Sequence, residues 1–188
     1  RDGDLVLIDA GAEYRNYAAD ITRTFPANGH FSKEQRALHD LVGRAQAAAL
    51  EKARPGEPWI AMHEAAVEAL TEGLLSLGLL KGTLQKNLAA ESYKRFYRHK
   101  SGHWLGLDVH DVGDYRIDGE SRLLEPGMVF TIEPGLYVMP DDTTVQPRWR
   151  GIGIRTEDNV VVTGDGHRIL TEGLARSADE IEAFMAQR

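Results

Sequence analysis

Residues 5–25, LVLIDAGAEYRNYAADITRTF, read as a β-hairpin with one aspartate on each arm. The apolar run Leu5-Val6-Leu7-Ile8-Asp9 passes through Gly11 and polar residues into a second arm, Tyr17 to Phe25, which Pro26 and Gly29 end. A period of two puts Leu5, Leu7 and Asp9 on one face, and Ala18, Asp20, Thr22 and Thr24 likewise on one face of the other arm. In the right register the two aspartates become neighbours on one side of the sheet.

The segments after the hairpin set the fold class. Ser32-Lys33-Glu34-Gln35 is a capping-box pattern, after which Leu38, Leu41, Val42, Ala45 and Ala49 recur at helical spacing until Pro55-Gly56. A second helix is expected over Trp59–Leu77, with Met62, Ala66, Leu70 and Leu74 on its apolar stripe and Gly78 as its terminator. From His103 onward short strand-like runs return: Trp104–His110, Met128–Glu133, Tyr137–Met139, Gly151–Glu157 and Asn159–Thr163. A closing helix starts at a second capping box, Ser177-Ala178-Asp179-Glu180, and is expected to turn Ile181, Phe184 and Met185 toward the core. A hairpin, two helices and then antiparallel-looking strands argue for an α+β fold rather than a parallel βαβ stack.

The chain has 188 residues, 42% hydrophobic and 27% charged, which is enough for one packed domain over residues 1–188. A net charge of −7 with no basic run argues against nucleic acid and anionic membrane surfaces as partners. The absence of cysteine excludes a disulfide framework, thiolate zinc sites and a cysteine nucleophile, and suits a reducing cytoplasm. Apolar runs fall short of a membrane span. Gly151-Ile152-Gly153 is too short for a dinucleotide fingerprint, and there is no P-loop and no G-x-S-x-G elbow.

Against that background, five residues on separate segments have metal-ligand character: Asp9, Asp20, His103, Glu133 and Glu157. Parity places Glu133 on the face of Val129 and Thr131, and Glu157 on the face of Gly153 and Arg155. Four carboxylates buried together would repel one another and lose hydration, whereas two divalent cations would neutralise them. The plainer alternative is that each acid caps a turn or pairs with Arg23 or Arg155. His99 and His103 lack the intervening Glu of H-E-x-x-H, and Gly102 interrupts any helix there. Oxygen-dominated coordination suits Mn2+ or Mg2+, with Co2+ and Zn2+ as substitutes. His110 reads as a further ligand, a substrate-binding group or a partner of Asp108 or Asp111; His30, His39, His63 and His167 read as solvent-facing.

The ordered blocks IDAG (8–11), YxxDITRTFP (17–26), HxxGHWLGLDVHDVG (99–113), LEPGMVFTIEPGLY (124–137) and GIGIRTEDNVVVT (151–163) resemble the proline-specific metallopeptidases, above all the bacterial Xaa-Pro aminopeptidases. That resemblance implies the pita-bread fold, a curved antiparallel sheet covered by helices, and cleavage of the bond before a proline in second position. It implies that Asp9 is a bidentate ligand of one ion, that Asp20 and Glu157 bridge, and that His103 and Glu133 bind the other. Two ions roughly 3.5–4 Å apart would share a water and make it a hydroxide nucleophile near neutral pH. By the same resemblance Glu133 carries the proton, His110 donates to the developing oxyanion, His99 lines the proline side, and Tyr137 and Arg155 support Asp9 and proton movement. Trp104 is a candidate wall of the proline pocket.

The family's catalytic domain starts well before Arg1 and includes a further active-site histidine upstream of the first aspartate, so the chain reads as a C-terminal portion of one. The full-length protein is expected to form a homo-oligomer, and the isolated chain to turn over peptides weakly or not at all. Lys100 stands where relatives often have glycine, placing a cation at the substrate entrance. The rival readings are an Xaa-Pro dipeptidase and, from another class, a non-catalytic pita-bread binding module; intact ligand positions argue against the second.

Overall fold

A computed structural model describes residues 1–187. Strands β1 (Leu5–Ala10) and β2 (Ile21–Pro26) pair antiparallel with Asp9 opposite Thr22 and Ala10 opposite Ile21. The second arm therefore starts four residues later than its sequence pattern suggests. Tyr14 and Tyr17 bridge each other, with Arg15 and Asn16 between them at φ of 51° and 69°, so the connection makes its own tight turn instead of extending the ladder. Asp20 sits just outside β2, and the side chain of Asn159 holds its backbone: Oδ1 accepts from the Asp20 N–H at 3.1 Å and Nδ2 donates to its carbonyl.

Helix α1 (Lys33–Glu51) carries the expected capping box, Ser32 Oγ accepting from Gln35 N at 3.2 Å and Gln35 Oε1 accepting from Ser32 N at 2.8 Å. It packs against α2 (Trp59–Ser76) through Leu38, Leu41, Ala45, Met62, Ala66, Leu70 and Leu74, the stripes read from spacing. At Gly73 a Cβ would lie 2.1 Å from a Leu41 methyl, so a larger residue there would force the Leu41 side chain to shift. A short helix α3 (Leu84–Ala89), without a counterpart in the sequence pattern, comes next.

The second half forms small antiparallel ladders: β3 (Arg116–Ile117) with β4 (Glu120–Ser121), β5 (Val129–Ile132) with β8 (Asp158–Val162) and β9 (His167–Ile169), and β6 (Gly135–Tyr137) with β7 (Gly153–Arg155). Buried Phe130, Ile132, Leu136, Ile154 and Val160 join the helix pair in one core. The strand expected over Trp104–His110 is absent: Trp104 alone bridges Phe130, after which the chain folds back and Asp111 N donates to Trp104 O at 3.1 Å. Trp104 and Leu105 are buried while Leu107 and Val109 are exposed, so the strand-like composition there does not correspond to ladder pairing.

Helix α4 (Ala178–Met185) begins at the expected capping box and is fixed to α1 by Arg36, which reaches Asp179 at 2.5 Å and Glu182 at 2.6 Å. Ile181 is buried and Met185 partly buried beside Gly29, but Phe184 is 62% exposed, contrary to expectation. Two histidines also depart from the surface positions expected for them. His39 is 2% exposed beside the Phe31 ring with its Nε2 unpartnered, and burial lowers its pKa to about 4; the flanking Asp40 makes the position look polar in sequence. His63 is partly buried on α2 with its Nδ1 2.8 Å from Ser101 Oγ. His167 is partly buried on β9, and His30 is exposed as expected. No helix among the described residues is long and apolar enough to cross a membrane.

Candidate metal centre

The five donor residues stand at the ends of different elements. Asp9 closes β1, Asp20 precedes β2, His103 lies on the segment leading to the Trp104 bridge, Glu133 comes directly after β5, and Glu157 forms the corner between β7 and β8. Backbone hydrogen bonds stitch these ends together: Glu157 N to Thr22 O (3.0 Å), Glu133 N to Ser101 O (2.9 Å) and Thr131 N to His103 O (3.0 Å). The last approach is so close that a Cβ on Gly102 would fall 2.0 Å from Thr131 O, which explains a glycine beside His103.

The result is one cluster. Asp9, Asp20 and Glu157 form one group, His103, Glu133 and Glu157 a second, and Asp20, His103 and His110 a third, each with donor atoms within 4.8 Å of one another. His103 Nε2 lies 3.3 Å from Asp20 Oδ2, 3.8 Å from Glu133 Oε1 and 3.9 Å from Glu157 Oε1. Its Nδ1 lies 2.9 Å from the Trp104 carbonyl, which can only accept, so Nδ1 bears the hydrogen and the Nε2 lone pair faces the carboxylates.

Such an arrangement is electrostatically unfavourable without a cation. Burial, reinforced by Glu157, Asp20 and Asp9, pushes the Glu133 carboxyl up to about 8. Burial, with Asp20 and Asp9 nearby, raises Glu157 to about 7 against the lowering effect of the Thr22 hydroxyl. Asp20 is raised by burial and then by Asp9. Glu157 is 1% exposed, and while its Oε2 accepts from Thr22 Oγ1 at 2.7 Å, its Oε1 is buried with no partner. The adjacent Asp158 shows what a buried acid looks like when the protein satisfies it. Its oxygens accept from Arg23 (2.7 Å), Thr171 (2.6 Å) and Gln46 (3.0 Å). Arg23, weighed as a partner for the cluster acids, is thus committed elsewhere. An orphaned carboxylate oxygen facing an imidazole lone pair within an oxygen-rich set fits divalent cations.

A second layer holds these groups. Arg155 donates to Asp9 Oδ2 at 2.5 Å, to Thr22 Oγ1 at 3.1 Å and to the Tyr137 hydroxyl at 3.2 Å. His99 Nδ1 donates to the Lys100 carbonyl at 2.8 Å, so its Nε2, 2.9 Å from the Tyr137 oxygen, is the acceptor of the phenolic hydrogen. Burial lowers the His99 pKa and keeps that ring neutral. His110 is exposed and meets the His103 ring edge to face at 4.4 Å. The supporting roles of Thr22 and Asn159 escape a reading of the sequence, although each lies two residues along from an acid, Asp20 or Glu157, which is the spacing of a shared strand face.

A cleft of about 680 Å3 opens onto the cluster, lined by Trp59, His63, His99, His110, Glu133 and Arg155, with exposed Lys100 at its edge. Trp104 does not line it. That ring is 7% exposed and packs in the core against Trp59 (4.3 Å between ring centroids), Tyr115 (5.5 Å) and Phe130 (6.1 Å), so Trp59 takes the wall position expected for Trp104.

Comparison with known proteins gives these positions a context. The structure of Pseudomonas aeruginosa aminopeptidase PepP superposes with a TM-score of 0.99 at 57% identity, over 100% of this chain and 42% of that one. An Escherichia coli Xaa-Pro aminopeptidase is 50% identical over 185 residues, 98% of this chain and 42% of the relative. A mouse Xaa-Pro dipeptidase is 40% identical over 214 residues, 99% of this chain and 43% of the relative. The chain thus spans about two fifths of the length of these relatives. Residues 1–164 match the model of metallopeptidase family M24, a family that works with divalent metal ions. With that match and these superpositions, the chain belongs to metallopeptidase family M24 and has its pita-bread fold.

Proposed function

We propose that the protein is an Xaa-Pro aminopeptidase in which Asp9, Asp20, His103, Glu133 and Glu157 hold two divalent ions, and that residues 1–188 are the C-terminal portion of its catalytic domain. The observation that carries this reading is the buried, unpartnered Glu157 Oε1 facing the bare Nε2 of His103, 3.9 Å away, inside a ring of acids. The 50% identity to an Xaa-Pro aminopeptidase supports the substrate class. Mn2+ is the proposed metal, since hard oxygen donors dominate, with Co2+ or Zn2+ able to substitute. The cysteine-free composition suits a cytoplasmic protein.

Bound ions of this kind supply Lewis-acid polarisation and an activated water. The chain's residues supply the rest. The Glu133 carboxylate, at the cleft, takes a proton and delivers it to the departing proline nitrogen. His110, beside His103 at the cleft, donates to the oxygen on which charge develops. Arg155 fixes Asp9 through its 2.5 Å hydrogen bond, and Tyr137 and His99 complete the chain that holds Arg155 in place. An Xaa-Pro bond has no N–H to grip, so the proline is recognised by its shape against the cleft wall.

The test is release of the first residue from an Xaa-Pro-Yaa tripeptide by the full-length protein with added Mn2+. Cleavage of the tripeptide at a rate comparable with or above that of the Xaa-Pro dipeptide is expected. Turnover confined to the dipeptide would instead favour an Xaa-Pro dipeptidase, the reading the mouse relative supports.

A further inference from the structure

One wall of the cleft is the N-terminal end of α2, where Trp59 and His63, four residues apart, share one helical face. His63 is joined there to a buried chain of hydroxyls. Its Nδ1 lies 2.8 Å from Ser101 Oγ, which lies 2.6 Å from the Tyr97 hydroxyl. Ser101 in turn carries the carbonyl that receives the Glu133 N–H at 2.9 Å.

Hydrogen counting fixes the direction of this chain. Tyr97 is 1% exposed and burial pushes its phenol pKa up, so the phenol keeps its hydrogen, and Ser101 Oγ is its one side-chain partner among the described residues. A buried hydroxyl hydrogen needs an acceptor, so Tyr97 donates to Ser101. The Ser101 hydrogen must then go to His63 Nδ1; were Nδ1 to donate instead, the serine oxygen would accept twice and its own hydrogen would have no acceptor. His63 is therefore the tautomer with its hydrogen on Nε2. Burial lowers its pKa to about 4, which keeps the ring neutral. Nε2 makes no hydrogen bond among the described residues and is not among the buried unpartnered atoms, although His63 lines the cleft. A neutral N–H donor of fixed direction is thus presented to the cleft and used by no group among the described residues.

We propose that His63 Nε2–H binds a backbone carbonyl oxygen of the peptide in the cleft, with Ser101 and Tyr97 as positioning residues that hold the tautomer. This rests on the peptidase reading above and adds a substrate contact remote from the ligands. A neutral donor that is open to the cleft costs little in the free enzyme and gains one hydrogen bond in the complex, so its loss weakens binding more than it slows chemistry.

His63→Asn in the full-length Mn2+ enzyme keeps an acceptor near Ser101 and removes the Nε2 donor. With an Xaa-Pro-Yaa tripeptide, KM is expected to rise about tenfold with kcat changed by less than about twofold. Unchanged KM, or a fall in kcat with KM constant, overturns the assignment. In long-range 15N–1H spectra the wild-type His63 is expected as the Nε2–H tautomer, with a mixture of tautomers in Ser101→Ala; an Nδ1–H wild type overturns it without reference to activity, and serves if His63→Asn fails to fold. Should wild-type turnover be absent, the peptidase reading fails by itself, and calorimetric Kd values of the same peptide for wild type and His63→Asn decide the His63 contact.

Discussion

Glu157→Ala is expected to reduce tripeptide turnover by the full-length Mn2+ enzyme by about a thousandfold or more, the scale of several kcal/mol of lost transition-state stabilisation. Glu157 belongs both to the group with Asp9 and Asp20 and to the group with His103 and Glu133, so its removal takes a donor from each half of the cluster. Elemental analysis of the same variant is expected to show fewer than two ions retained after desalting. Its far-UV circular dichroism should match the wild type, because the Glu157 N–H to Thr22 O bond that holds the corner is made by the backbone. Initial rates above roughly a tenth of wild type would mean that the residue does not bridge, since the loss of one bridging donor is expected to cost far more than one power of ten.

The second large effect is in stability. Without metal, Glu133 and Glu157 have folded pKa values of about 8 and about 7, above the ordinary glutamate value of 4.5, so the folded state binds more protons than the unfolded state across that window. Stability of the metal-free protein must therefore fall as pH rises through it. His39 and His63, each lowered to about 4 from 6.5, act in the opposite sense and add stability as pH rises from about 4 to 6.5. Above pH 6.5 only the carboxyl effect remains, and the melting temperature of the EDTA-treated protein should drop between about pH 6.5 and 8.

Divalent cations bind the deprotonated carboxylates and reverse that trend. At a thousandfold excess over Kd, ligand linkage contributes about 4 kcal/mol, and about 2–4 °C per kcal/mol in a chain of this size gives a rise on the order of 10 °C. The rise should be larger near pH 8 than near pH 5.5, where protons compete for the same oxygens. Differential scanning calorimetry with and without Mn2+ reads it directly. An equal shift at both values would place the metal away from these acids.

The features legible in the sequence are those with a local cause. Both capping boxes form, because a side chain three residues away satisfies an orphaned N–H irrespective of the rest of the fold. The hairpin and the apolar stripes of α1 and α2 arise from periodicity. Asp9 and Glu133 stand out as costly acids at the ends of apolar runs, and the structure brings them together with Asp20, His103 and Glu157. Less legible is whatever tertiary contacts decide. Asp20 has the parity of a β2 residue, but the turn at Arg15 and Asn16 and the grip of Asn159 hold it outside the ladder. Trp104 has the character of a pocket wall, yet Trp59, from a helix far away in sequence, stands between it and the cleft. His39 and His63 read as surface residues because their neighbours are polar, while the packing of α1 and the Ser101 hydroxyl bury them. Phe184 has helical spacing from Ile181, yet its ring is exposed while Met185 beside it is partly buried.

Anomalous diffraction at the manganese edge from Mn2+-loaded crystals of the full-length protein would locate the ions themselves. Two peaks roughly 3.5–4 Å apart are expected, one against Asp9, Asp20 and Glu157 and the other against Asp20, His103, Glu133 and Glu157. A single peak, or none within reach of the Glu157 carboxylate, would contradict a paired-ion centre.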